Sequence, residues 1–149
     1  MLSLKLVQLI EKHSDQLAQG LCEKLRRAEK TKHFLQVPGD ELEAGASDVY
    51  RHLGEWLLTK TETDIELRYK DIGARRAAQG VPLDEWVWAI ILTKEHLWGF
   101  LQRESLLDRA FEVYGELELL RLLDQFFDRA IYYGLMGYQQ YHATQRKAA

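Results

Sequence analysis

A single cysteine, Cys22, in 149 residues leaves no partner for an internal disulfide and too few thiolates for a structural zinc site. Only two prolines, Pro38 and Pro82, interrupt the chain, so long stretches are open to helix formation. An excess of basic charge is missing as well. Twenty Lys plus Arg against 23 Asp plus Glu give a net charge of −3, which argues against a dedicated nucleic-acid binder. No apolar run is long enough to span a bilayer: the opening MLSLKLVQLI is broken at once by Glu11, Lys12 and His13, and the segment Trp86–Leu92 is short. A cytoplasmic protein with no membrane or nucleic-acid partner is expected.

The motifs of metal and nucleotide chemistry are also missing. No Glu-x-x-His pair of the kind that holds two metal ions in a helical bundle occurs, nor a His-Glu-x-x-His, nor a glycine-rich phosphate loop. The lone cysteine and the serines sit in no nucleophile setting. The reading is therefore of a non-enzyme, with no catalytic residue and no metal site.

What the sequence does have is the composition of one globular domain, 46% hydrophobic and 11% aromatic against 29% charged. Leu6, Ile10, His13, Leu17, Leu21 and Leu25 recur every three or four residues and predict a first helix from about Ser3 to about Ala28. After the turn Val37-Pro38-Gly39, Asp40 is read as the N-cap of a second helix with the inner stripe Leu42, Ala46, Val49, Leu53, Trp56 and Lys60. A third helix is capped by Thr63 or Asp64, carries Ile65, Tyr69 and Ile72 inward and stops at Gly80. Pro82 suits the first turn of a fourth, and Asp84 and Glu85 complement its dipole. That helix is apolar on more than one side, which places it at the centre with several neighbours. After a polar joint near Gln102–Arg109, a fifth runs from about Ala110 to about Gln145. The fold class is all-α, with five main helices in a bundle or globin-like arrangement and a long C-terminal helix. Gly45, Gly54, Gly73, Gly99, Gly115, Gly134 and Gly137 fall inside predicted helices, where their cost is best explained by close helix crossings.

Three groups of residues carry the candidate chemistry. Trp86, His96, Tyr132 and Tyr133 combine apolar bodies with polar tips and mark a ligand pocket between the fourth and fifth helices. His96, or His13 on the first helix's apolar stripe, would then be the axial ligand if the ligand were a haem; otherwise no cofactor is expected. Arg75 and Arg76, at the end of the third helix, suit an anion or an acidic partner surface, or simply the negative end of the dipole. His52, four residues after Asp48, is read as a surface hydrogen bond. The stripe Trp88, Ile91, Trp98, with Val113, Leu117, Leu120, Phe127, Ile131 and Tyr138 of the last helix, is expected to leave apolar surface for a homodimer.

Two segments are more specific than composition. IGARRAAQGVPLDEWVWAIILTKEHLWGFL, Ile72 to Leu101, and FDRAIYYGLMGYQQ, Phe127 to Gln140, resemble the N-terminal domain family of RsbT co-antagonist proteins, bacterial regulators of the RsbRD type. The resemblance implies an all-helical sensor domain set ahead of an output module such as a STAS domain or a histidine kinase core. It carries over no catalytic or ligand residue: Arg76 and Ala77, the Gly80 helix end, Pro82 and the Tyr138 region look like packing and turn chemistry. The chain departs from the usual arrangement in ending at Ala149 without an output module and in having no His-Glu-x-Arg phosphoacceptor box. A stand-alone adaptor and an excised piece are the two readings of that departure.

Overall fold

The computed structural model describes residues 4–104 and 110–148, with the backbone alone for 110–116. The described residues form helices and turns without a strand, so the fold is all-α, as the periodicity implies. Six α-helices follow in order: α1 (Leu4–Lys12), α2 (Ser14–Arg27), α3 (Gly39–Arg51), α4 (Glu62–Ala78), α5 (Leu83–Glu104) and α6 (Ala110–Ala148). A 3-10 segment, Glu29–Gln36, joins α2 to α3, and a π-helical turn, Glu55–Thr59, lies between α3 and α4. Part of the expected joint, 105–109, lies outside the described residues, as do the Val113 side chain and the surroundings of Gly115.

The first predicted helix is two helices. Its apolar stripe runs through without a gap, but the backbone at His13 departs to φ −102°, ψ 21°, and its Nδ1 pairs with the Leu9 carbonyl at 2.9 Å. The second predicted helix ends early for a related reason. His52 leaves helical geometry at φ −114°, and the chain widens into the π turn, which keeps Leu53 and Trp56 buried while Lys60 is exposed. Asp40 is not its N-cap: it stands inside the first turn, and its Oδ1 accepts only from the Glu41 N–H.

The two best punctuated boundaries are around α4. Thr61, not Thr63 or Asp64, is the N-cap, and Asp64 completes a capping box in which each side chain accepts from the other residue's backbone N–H. That hydrogen bonding holds the Asp64 carboxyl below the usual carboxylate range. At the other end Gly80 takes φ +79°, the Gly80 N–H bonds to the Ala77 carbonyl and the Val81 N–H to that of Arg76. This Schellman closure needs a residue free to adopt positive φ, which glycine alone does without strain. Pro82 follows, its carbonyl accepting from the Trp86 N–H to open α5. Glu85, in the first turn, does more than complement a dipole. It is buried, accepts from the His33 N–H at 2.8 Å and pairs with the His33 ring, which ties the 3-10 segment to α5.

The core forms two clusters. One gathers α1, the start of α2, the end of α3, α4, the end of α5 and α6 around Ile10, Leu53, Leu97, Leu119 and Phe126. The other joins the end of α2, Phe34, Val37, Leu42, Val81 and the start of α5 around Trp86. Helix α5 buries Trp86, Ala89, His96, Leu97, Phe100 and Leu101, while Trp88, Ile91, Leu92 and Trp98 stay half-exposed. The expectation that it is covered on several sides is therefore corrected: one long face is buried, and the second is only partly covered. Helix α6 packs chiefly on α4. A Cβ at Gly73 would lie 1.9 Å from the Gly134 carbonyl oxygen, and one at Gly137 would lie 2.0 Å from that of Lys70. The two backbones are in contact, and only glycine permits it. Gly45 and Gly54, by contrast, meet no such approach.

Candidate functional site

A cavity of about 110 Å3 lies where the two core clusters meet. Its wall draws on five helices and the 3-10 segment: Leu21 and Leu25 of α2, Phe34, Ala46 and Tyr50 of α3, Arg68, Tyr69 and Arg76 of α4, Trp86, Ala89 and Ile90 of α5, and Phe127 of α6. Small residues make the void. Gly45, Ala46 and Ala89 face it where a larger side chain would close the gap between α3 and α5.

The lining residues are mostly apolar, and the few polar side chains among them differ in how well they are satisfied. Arg68 donates from Nη1 to Asp48 Oδ2 at 2.8 Å and from Nη2 to the Gly45 carbonyl at 3.0 Å, and its guanidinium stacks over Trp56. Its Nε is buried without a partner. Tyr50 is 1% exposed, and its hydroxyl also has none. Burial pushes the Tyr50 pKa far up, and Tyr69 and Cys22 nearby add to the effect, so the hydroxyl keeps its proton. An unpaired buried donor costs on the order of 1–3 kcal/mol.

The four residues expected to line a pocket are not brought together. Trp86 is in the cavity wall, 2% exposed. His96, ten residues on and roughly 15 Å further along α5, is buried against α2 instead. Its Nε2 donates to the Leu17 carbonyl at 3.0 Å, and a Cβ at Gly20 would lie 2.9 Å from its ring. Desolvation, reinforced by the Lys24 charge, lowers the His96 pKa. Tyr132 is 60% exposed, and Tyr133 donates its hydroxyl to Glu62 at 3.0 Å. Adjacent residues on a helix diverge by about 100°, so Tyr132 and Tyr133 cannot face one pocket. The residues present do not fit a haem. His13 is taken up by Leu9 and Phe100, His96 lies outside the cavity wall, and a void of about 150 Å3 is filled by a benzene.

Arg75 and Arg76 do reach an anion, and it belongs to the chain itself. Both approach Glu41 of α3, Arg75 at 3.1 Å and the buried Arg76 at 3.6 Å; Arg75 also pairs with Asp71, and Gln79 bridges Arg76 to Glu41. Burial opposes ionisation of Glu41, but the hydrogen bonds from Gln79 and Arg75 outweigh it, and its pKa is lowered. His52 makes a hydrogen bond to the Asp48 carbonyl, with the Asp48 carboxylate 3.2 Å from the same ring nitrogen. No group of His, Cys, Asp and Glu among the described residues could hold a metal ion.

The expected dimer residues lie on the outside. Trp88 carries the Lys30 ammonium 4.3 Å over its ring, and Ile91 and Trp98 are half-exposed. Lys94 pairs with Asp124, which brings this side of α5 alongside α6, where Leu117 is 56% exposed. Phe127, placed on the same stripe, is buried instead and walls the cavity. The tip of Tyr138 is committed within the chain: its hydroxyl donates to the Val81 carbonyl at 2.7 Å and fastens α6 to the Gly80 turn.

One residue links the cavity to the last helix. The Trp86 indole walls the void and rests on Gly134 of α6, where a Cβ would lie 2.1 Å from its ring. Gly134 is also the residue whose carbonyl touches Gly73. The cavity wall, α5 and the α4–α6 crossing therefore meet within a few side chains.

The described residues thus form an all-helical domain whose longest helix meets α4 at a glycine crossing. The model of the RsbT co-antagonist protein rsbRD N-terminal domain matches residues 15–149, and the chain belongs to that family. This is a family of regulatory signalling domains, not a known family of enzymes. Comparison with curated proteins and with solved structures gives no match. None of the helices among the described residues is long and apolar enough to cross a membrane.

Proposed function

We propose that the chain is a cytoplasmic, non-enzymatic sensor domain of a bacterial signalling protein, which passes a change in helix packing along α6 to an output module or partner. The observation that carries this reading is the position of Trp86, one side on the cavity and the other on Gly134. A small displacement of that indole acts where α6 and α4 are in backbone contact, and packed interfaces respond to such shifts by switching arrangement rather than by deforming smoothly. Deleting the codons for residues 15–148 from the chromosomal gene tests the reading. The deletion strain should differ from its parent in its transcriptional response to salt, acid or peroxide challenge; a transcriptome identical to the parent's under all three would overturn it.

The same reading includes a two-fold homodimer, which would set two α6 ends side by side. It is supported by the half-exposed Trp88, Ile91 and Trp98 of α5 and by the exposed Leu117 of α6. Light scattering at micromolar concentration should give twice 17.4 kDa, and Trp98→Glu should return the mass to 17.4 kDa. A monomer in the unsubstituted protein, or a dimer indifferent to both Trp88→Glu and Trp98→Glu, would refute it.

A further inference from the structure

His96 stands at the seam between α2 and α5 and is 6% exposed. Its Nε2 donates to the Leu17 carbonyl at 3.0 Å, which leaves Nδ1 as the bare acceptor of a neutral ring. That Nδ1 is buried and has no partner. Gly20 brings the α2 backbone against the ring, so closely that a Cβ there would lie 2.9 Å from Cε1 and 3.1 Å from Nε2. Packing alone does not call for a histidine here. Leu17 lies inside α2, where its carbonyl already accepts from the amide four residues on, and the ring is not needed to satisfy it. A leucine or methionine would fill such a site without leaving a polar atom unmet. What histidine adds is a proton that comes and goes close to neutral pH.

The seam accepts that proton badly. A protonated Nδ1 would be a buried donor without an acceptor, and its charge would have no counter-ion. The charges that act on the ring are Lys24 from α2 and Arg103 from its own helix, both cations, with no carboxylate among the described residues beside them. The next titratable group along the seam, His13, packs against the Phe100 ring and adds a further cation whenever it is protonated. Burial first, then the two cations, hold the His96 pKa below the ordinary 6.5, and a ring released into water regains that value. The sign follows. The closed seam is at full strength above about pH 6.5 and weakens as pH falls, by up to about tenfold per unit, until the packed ring is itself protonated.

We propose that His96 is a proton-operated latch between α2 and α5, closed by the neutral ring on Leu17 and released when Nδ1 takes a proton in mildly acid solution. Leu21 and Leu25, on α2 just beyond Gly20, pack with Trp86 and Ala89 of α5 in the second core cluster, so release loosens the packing of Trp86. Through Trp86 and Gly134 the effect reaches α6. The use of the latch as a signal rests on the sensor reading above, whereas the opening itself is a property of the seam.

Two measurements on the purified protein test it. Long-range 1H–15N spectra of the histidine rings report tautomer and titration midpoint: His96 should carry its proton on Nε2 at pH 7.5 and titrate below the ordinary histidine value. Cys22, the single cysteine, is buried on α2 beside Leu21, so its reaction with 2,2′-dithiodipyridine reports release of that helix. Its labelling rate, taken relative to that of the urea-unfolded chain at the same pH, should rise about tenfold or more from pH 7.5 to pH 5.0. His96→Gln keeps a donor for the Leu17 carbonyl but takes up no proton, and its relative rate should change by less than about threefold over the same range. His33→Asn, at the other pairing of α5 with Glu85, should keep the full rise. A midpoint at or above the ordinary value, a proton on Nδ1 instead of Nε2 at pH 7.5, or a rise that His96→Gln retains would each overturn the proposal. If His96→Gln does not fold, the ring titration of the unsubstituted protein decides alone. None of these measurements reads a signalling output, so the regulatory reading stands or falls separately with the chromosomal deletion.

Discussion

Gly73→Ala and Gly137→Ala should each lower stability by about 3 kcal/mol, whereas Gly45→Ala should raise it by up to about 1 kcal/mol. The substitution is the same in all three, and all three glycines lie within helices, so intrinsic propensity favours alanine everywhere. The sign is set by what the new methyl meets. At Gly73 it would fall 1.9 Å from the Gly134 carbonyl oxygen and at Gly137 2.0 Å from that of Lys70; at Gly45 nothing lies within 4 Å. Backbone atoms cannot turn aside as a flexible side chain does, so α4 and α6 would have to separate, and with them the packing of Tyr69 on Phe126. For a domain of this size a loss of about 3 kcal/mol lowers Tm by roughly 10 °C. Thermal and urea unfolding of the three variants check it. If Gly73→Ala unfolds with the unsubstituted protein, the backbone contact is not what holds α6.

How far the sequence foretold this crossing depends on which residue is asked. A glycine inside a strongly periodic helix must be there for a reason, and Gly73, Gly134 and Gly137 answer it; Gly45 has the same local setting and no crossing at all. Local pattern gives the cost of a glycine but not its neighbour. The same division runs through the helix boundaries. Gly80 and Pro82 act within four residues of themselves, and both were legible. The break at His13 was not, because Leu6, Ile10, Leu17 and Leu21 keep their spacing across it.

The candidate site was less legible, for a related reason. Arg75 and Arg76 meet Glu41 of the same chain, which lies 34 residues away from Arg75 and on another helix, and no periodicity connects them. Trp86 is in the wall; His96, Tyr132 and Tyr133 share its apolar body and polar tip, but helical geometry turns each to a different neighbour. Tyr50 carries no signal in the sequence. An inward-facing tyrosine reads as ordinary core, and only the packing of five helices shows that its hydroxyl has been left unpaired. The void itself is bordered by small residues, Gly45 with no side chain and Ala46 and Ala89 with only a methyl.

The contact between Trp86 and Gly134 can be measured as an energy. Gly134→Ala places a methyl 2.1 Å from the indole and should cost about 3 kcal/mol, well above the roughly 1 kcal/mol that alanine gains in a helix. Trp86→Leu empties part of a site that is 2% exposed and should cost about 2–4 kcal/mol. Together they should cost at least about 2 kcal/mol less than their sum, because the shorter side chain leaves room for the methyl and the gain in helix propensity is then realised. The pair Gly134→Ala with Leu117→Ala serves as the control. Leu117 is exposed on α6 and lies 17 positions from Gly134, so those two costs should add within about 0.5 kcal/mol. Denaturant titration of the three single and two double variants gives each coupling energy directly. A coupling near zero for Trp86 with Gly134 would mean that the indole moves aside freely, and an indole that does so could not report the state of the cavity to the last helix.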